Sequence, residues 1–152
     1  MEKNQELLIQ QLAALLKGEH DPLANAANLS AFLYRNLDAV NWLGFYYQQG
    51  NELVLGPFHG QPACTRLPIG QGVCGTAFDK KSALRVDDVS TFSGHIYCDS
   101  ASRSEVVVPF YGESLSGVLD VDSPDLNRFT DADVDFFERV VELYQHAITP
   151  QT

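Results

Sequence analysis

Three thiols and three crowded carboxylates are the groups in this sequence that could do chemistry. Cys98 lies in a long polar segment, residues 87–103, between Tyr97 and Asp99 and followed by Ser100, Ser102 and Arg103. A cysteine in an accessible loop packs poorly and is a better candidate nucleophile than a buried one. Asp99 would not lower its pKa, whereas Arg103, His95 or loop amides could. Cys74 sits in Gly72-Val73-Cys74-Gly75 at the start of a predicted helix. There the competing reading is a small buried residue fitted between glycines. Cys64 falls in or at the edge of a predicted strand, and its surroundings alone say little. No pair has CxxC spacing, and an odd count of three does not make a disulfide scaffold.

The carboxylates are placed by strand alternation. In Val118-Leu119-Asp120-Val121-Asp122, Leu119 and Val121 point to one face and Asp120 and Asp122 to the other. Taken alone, two acids near a strand end would simply be solvated. Glu105 opens the preceding strand, however, with Val106 and Val108 facing away from it. If these strands pair, all three carboxylates converge. Trp42 and Tyr46 share one strand face while Leu43 and Phe45 share the other. On spacing alone Trp42 is a core or strand-edge aromatic. Together these residues suggest a pocket with an aromatic wall and a carboxylate floor. Such a pocket suits a small cationic or zwitterionic ligand. Carboxylates accept hydrogen bonds from an ammonium, and an aromatic face attracts a cation or a soft sulfur. Crowding raises at least one carboxyl pKa, and the neutral acid can then donate a proton.

Two other patterns carry less. His59 and His95 have no compact ligand spacing with the cysteines, so no metal site is expected. Gly70-x-Gly72-x-x-Gly75 has the spacing of a dinucleotide fingerprint but lacks the parallel βαβ unit around it.

The elements that must position these residues follow from periodicity. Residues 5–17 carry a helical stripe at Leu8, Leu12, Leu15 and Leu16, stopped at Gly18. Asp21-Pro22 caps and starts a second helix through Leu29, Phe32, Leu33 and Leu37. The period then shortens. Strands are predicted at Trp42–Gln48, Glu52–Phe58, Cys64–Leu67, Ala83–Val86, Glu105–Phe110 and Leu115–Asp122, with a short helix around Val73–Phe78. The last helix begins at Thr130, with Asp133 forming an approximate capping box, and carries Phe137, Val140, Val141, Tyr144 and Ile148 on one stripe. This order predicts an α+β domain, a central antiparallel sheet flanked by helices. One domain is expected over residues 1–152: N-terminal helices over about 2–38, sheet and active-site loops over about 41–123, and the C-terminal helix over about 130–148.

Length and composition agree. The chain has 152 residues, 45% hydrophobic and 20% charged, which is globular and long enough for a sizeable core. Ten Lys and Arg stand against 20 Asp and Glu, a formal charge of −10. Nucleic acid and membrane surfaces, both polyanionic, are therefore poor partners. No apolar run is long enough to span a membrane, and the N-terminus lacks the basic start and apolar stretch of a secretory signal. A cytoplasmic protein is expected.

Taken together, Trp42-Leu43-Gly44-Phe45-Tyr46, ACTRLPIGQGVCGTAF at 63–78, SGHIYCDSASRSEVVVP at 93–109 and GVLDVDSP at 117–124 resemble the free methionine-(R)-sulfoxide reductases, small GAF-domain enzymes. The resemblance runs from Trp42 to the last helix and is looser before it. It implies a GAF-like fold and reduction of free methionine-(R)-sulfoxide to methionine. By position, it implies Cys98 as the nucleophile and Cys64 as the resolving cysteine that forms a disulfide with it. Cys74 would be an auxiliary third thiol. Glu105, Asp120 and Asp122 match the acidic residues of the substrate pocket, Glu105 or Asp122 serving as proton donor, and Trp42 and Tyr46 match its wall. It implies thioredoxin as the reductant and no cofactor. The R preference comes from the resemblance alone. The turn Tyr111-Gly112-Glu113-Ser114 departs from the family pattern and should lie away from the pocket. A homodimer through the N-terminal helices is a further expectation, although their stripe could pack on the sheet instead. The alternatives are a GAF-type sensor of a small ligand, a redox sensor without turnover, and a purely structural or interaction domain.

Overall fold

The computed structural model describes residues 1–96, 98 and 101–149. Six antiparallel strands form one sheet in the order β3-β2-β1-β6-β5-β4. They are β1 (Trp42–Gln49), β2 (Glu52–Gly60), β3 (Arg66–Pro68), β4 (Leu84–Val86), β5 (Ser104–Phe110) and β6 (Gly117–Ser123). Four helices accompany them: α1 (Lys3–Leu16), α2 (Pro22–Asn36), α3 (Gly72–Lys80) and α4 (Asp131–Ile148). The GAF-like α+β architecture expected from the sequence is the one observed.

The helix starts follow their caps. The Asp21 carboxylate accepts from Ala24 N, and Thr130 and Asp133 close a reciprocal box at the start of α4. Leu12, Leu16, Leu29 and Leu33 are buried, as are Phe136, Phe137, Val140, Val141 and Tyr144 of α4. Leu15 departs from the expected stripe and is exposed, whereas Ile9, outside that stripe, is buried. Leu7, Leu15 and Leu23 leave apolar side chains exposed on α1 and α2.

The sheet separates two cores. On one side, Leu43 and Phe45 of β1, Val106 and Val108 of β5, and Leu119 and Val121 of β6 pack against α1, α2 and α4. On the other, Trp42, Tyr46, Val107 and Val118 pack with Val73, Cys74, Ala77 and Phe78 of α3. Alternation along each strand divides the two.

One expected element is displaced. Cys64 is not in a strand: β3 begins at Arg66, and Cys64 lies in the connection between β2 and β3. The strand is three residues long and pairs with β2 only over Arg66–Pro68. Pro62 interrupts the ladder before it, since proline has no N–H to donate. The strand expected over Leu115–Asp122 is shifted to Gly117–Ser123, and its turn lies at the far end of the hairpin from Glu105 and Asp122.

Candidate active site

Register brings the acidic residues together. Glu105 of β5 lies directly opposite Asp122 of β6, and Asp122 lies opposite Trp42 of β1. Trp42, Asp122 and Glu105 therefore form one row across three strands. The next row inward on the same face places Asp120 between Gly44 and Val107. Gly44 is required there: a Cβ would overlap the Cβ of Phe58 on β2. Without it Phe58 stacks on Trp42, centroids 5.1 Å apart, and Tyr46 stacks on the same indole at 5.9 Å.

The roof comes from the opposite side. Gly75 lets α3 sit close to the chain at Pro68, whose carbonyl oxygen a Cβ would overlap. The helix thereby presents Cys74 inward, its thiol 3.9 Å from Glu105 Oε2. Together they enclose a small cavity of about 40 Å³, lined by Trp42, Tyr46, Cys74, Glu105, Asp120 and Asp122 with His95 and Cys98 at its edge. That is room for about three waters. No lysine or arginine lines it among the described residues.

The three carboxylates are not solvated, as they would be at an ordinary strand end. Glu105, Asp120 and Asp122 are only 6%, 6% and 8% exposed. Burial first, then the charges of Asp122 and Glu105, raise the Asp120 carboxyl well above the ordinary range. Burial beside Glu105 and Asp122 thus favours the neutral form of the Asp120 carboxyl. Burial, and then Asp120, likewise raises the Cys74 thiol well above its usual value. The same two causes, in the same order, keep the Tyr46 phenol neutral. Cys74, Glu105 and Asp120 offer ligand atoms within 4.8 Å of one another, a donor set fit to receive a cation.

Cys64 and Cys98 form a disulfide, with Cα atoms 5.2 Å apart. It lies over the pocket, and Cys74 is the remaining free cysteine. Tyr97, Asp99 and Ser100, the neighbours expected to shape the Cys98 loop, lie outside the described residues. Arg103 is not among the residues lining the pocket; its charge acts on Asp88 instead. His95 does line it. His59 is exposed against the ring of Tyr34, 5.8 Å away.

All eight site residues expected from the sequence surround this one pocket, if Cys64 is counted through its disulfide. Gln71, Val73, Ile96 and Ser102 also line it and were not anticipated. The Gly70-x-Gly72 turn was the available signal for Gln71 and Val73.

Known proteins resemble this arrangement closely. The family model described as GAF domain matches residues 27–149. Protein YtsP of Bacillus subtilis is 47% identical over 150 residues, 97% of this chain and 92% of its own. The free methionine-R-sulfoxide reductase of Escherichia coli is 51% identical over 121 residues, 79% of this chain and 73% of its own. The structure of fRMsr of Staphylococcus aureus in complex with substrate superposes with a TM-score of 0.91 at 45% identity, covering 98% of both chains. On these matches the chain belongs to the GAF-domain family, among the free methionine-R-sulfoxide reductases.

Proposed function

We propose that the chain reduces free L-methionine-(R)-sulfoxide to L-methionine, with Cys98 as nucleophile and Cys64 as resolving thiol. The observation that carries this reading is a Cys64–Cys98 disulfide lying over a buried carboxylate cluster with an aromatic wall. The Cys98 thiolate attacks the sulfoxide sulfur. Glu105 or Asp122 delivers a proton to the sulfoxide oxygen, and Asp120, whose neutral form burial beside them favours, replenishes it. The protonated oxygen then passes from the substrate sulfur to the Cys98 sulfur as the transient S–S bond breaks, so methionine leaves and Cys98 becomes a sulfenic acid. Cys64 condenses with it, releasing water and leaving the disulfide. A dithiol reductant, thioredoxin, exchanges that disulfide in a reducing cytoplasm and restores both thiols.

The substrate fits the charges. Its ammonium neutralises the carboxylate floor, where no lysine or arginine among the described residues competes for it, and its sulfur and methyl group lie against Trp42 and Tyr46. A methionine inside a polypeptide has no ammonium to offer, so the free amino acid is preferred. Amides of the Cys98 loop are assigned to the substrate carboxylate. Cys74, buried and held as a thiol, acts beside Glu105 rather than as a nucleophile.

The test is NADPH consumption with thioredoxin and thioredoxin reductase, using each separated epimer of free methionine sulfoxide. Turnover is expected with the R epimer and not with the S epimer or in Cys98→Ser. A chemical dithiol in place of thioredoxin separates a wrong reductant from a wrong reaction. No methionine in either arm would overturn the enzyme reading and leave a GAF sensor.

A further inference from the structure

Tyr46 and Trp42 are accounted for above by their rings. Their polar atoms point elsewhere. The Tyr46 hydroxyl donates to the carbonyl of Cys64 at 2.9 Å, and the Trp42 indole N–H donates to the carbonyl of Gln61 at 3.0 Å. Both bonds land on one short segment, residues 61–64, between β2 and β3.

That segment has no ladder bonds of its own among the described residues. Among the described residues, sheet pairing of β2 ends at Gly60, and backbone bonding resumes where Leu55 N meets Thr65 O at 2.9 Å. Between these points no backbone–backbone hydrogen bond fixes residues 61–64. Among the described residues, their hydrogen-bond anchors are the two aromatic donors of β1, beside the disulfide itself and the packing of Ala63 and Cys64 at the edge of the α3-side core. Once the disulfide is reduced, the aromatic donors are the directional contacts left among the described residues. A segment without ladder bonds samples many positions, and every productive attack requires Cys64 in one of them.

We infer that the Tyr46 hydroxyl, assisted by the Trp42 indole N–H, is a positioning group for the resolving step: it holds the Cys64 backbone where its sulfur reaches the oxidised Cys98. The step is a condensation. The Cys64 sulfur bonds to the Cys98 sulfur, the S–O bond of the sulfenic acid breaks, and the thiol proton leaves with the hydroxyl as water. No outside oxidant or reductant enters. Tyr46 touches no reacting atom in this step and acts through the backbone. The buried phenol is a neutral donor throughout, so the bond persists across the working pH range.

This role rests on the proposed function of Cys64 and is tested without the substrate. Reduced protein is treated with hydrogen peroxide, which converts the Cys98 thiolate to the sulfenic acid and water. The lifetime of that acid is read by dimedone trapping and mass spectrometry, alongside disappearance of the Cys64 thiol. In Tyr46→Phe, which keeps the ring, the sulfenic acid should persist about tenfold longer, the scale of one lost hydrogen bond. Trp42→Phe should lengthen it about threefold, its bond lying three residues from Cys64. Identical lifetimes in wild type and both variants would overturn the inference. A slower Tyr46→Phe whose fully oxidised form melts at the wild-type temperature supports positioning; matching losses in rate and melting temperature would reduce the bond to a structural one and overturn it. If wild type forms the disulfide with peroxide but yields no methionine from the sulfoxide, the proposed function fails and the positioning role stands.

Discussion

The two faces of the central sheet are made by the same strands and carry opposite chemistry. Toward α1, α2 and α4, β6 presents Leu119 and Val121; toward α3 it presents Asp120 and Asp122. In β1, Leu43 and Phe45 face the first side, Trp42 and Tyr46 the second. The face covered by α1, α2 and α4 receives apolar side chains from the strands, with Phe136, Leu12 and Leu33 fully enclosed. The pocket face buries three carboxyls and a thiol beside one another. Burying such groups together is unfavourable unless they are neutralised. Stability gathered on one face is what lets the other keep a cluster poised for a cationic partner. One strand serves both because its period of two never mixes them.

Four substitutions or treatments would break or sharpen this division. The largest effect belongs to the pocket face: Cys98→Ser should lower kcat by at least about 10³-fold while leaving thermal unfolding of the reduced protein near wild type. Appreciable turnover in that variant, measured as methionine released, would remove Cys98 from the reaction. Next is the opposite face. Phe136→Ala should destabilise folding by about 3–5 kcal/mol in a urea titration, yet retain kcat under conditions where it remains folded. A loss of kcat in the folded variant would show that the two faces are coupled.

Asp120→Asn should act in the reverse sense, lowering kcat/KM by about a hundredfold because an amide has no acid proton to pass to Glu105 or Asp122. Its stability changes with pH in a definite direction. A carboxyl whose folded pKa is raised holds its proton more tightly in the native state. Its contribution is complete below about pH 4, the ordinary unfolded value, and is lost as pH rises through the folded value. Wild type should therefore lose stability over that rise, and the Asn variant should lose less. Parallel stability profiles for the two proteins would mean that Asp120 keeps an ordinary pKa. The smallest effect concerns Cys74. In fully reduced native protein, iodoacetamide should modify Cys98 and Cys64 at least about tenfold faster than Cys74, whose thiol burial holds well above its usual pKa. In urea the three should react alike, which peptide mapping would resolve.

Much of the site was legible because alternation is local. Leu119-Asp120-Val121-Asp122 and Trp42-Leu43-Gly44-Phe45-Tyr46 assign faces without any knowledge of pairing partners. The caps of α2 and α4 were equally local, Asp21 and Thr130 binding amides three residues ahead. What spacing could not supply was the row from Trp42 through Asp122 to Glu105. That row depends on β1 pairing with β6 across most of the chain. The place of Cys64 was misjudged for a related reason. Cys64–Leu67 has a strand-like composition, but Pro62 and the short reach of β3 leave Cys64 outside the ladder. A side chain donating to a backbone carbonyl in a connecting segment, as Tyr46 does, leaves no periodic trace. The lining by Ile96 and Ser102 was hidden likewise, since it depends on how an aperiodic loop folds back over the sheet.

The disulfide over the pocket has a kinetic consequence. While Cys98 is tied to Cys64 it has no thiolate to offer a sulfoxide, so methionine is formed before the two sulfurs join and a new sulfoxide reacts only after they part. Substrate and reductant thus meet different forms of the protein and never share it. Varying one at several fixed levels of the other should give parallel lines in a double-reciprocal plot, the signature of a ping-pong cycle. At high sulfoxide the rate would then be set entirely by how quickly the reductant reopens the disulfide.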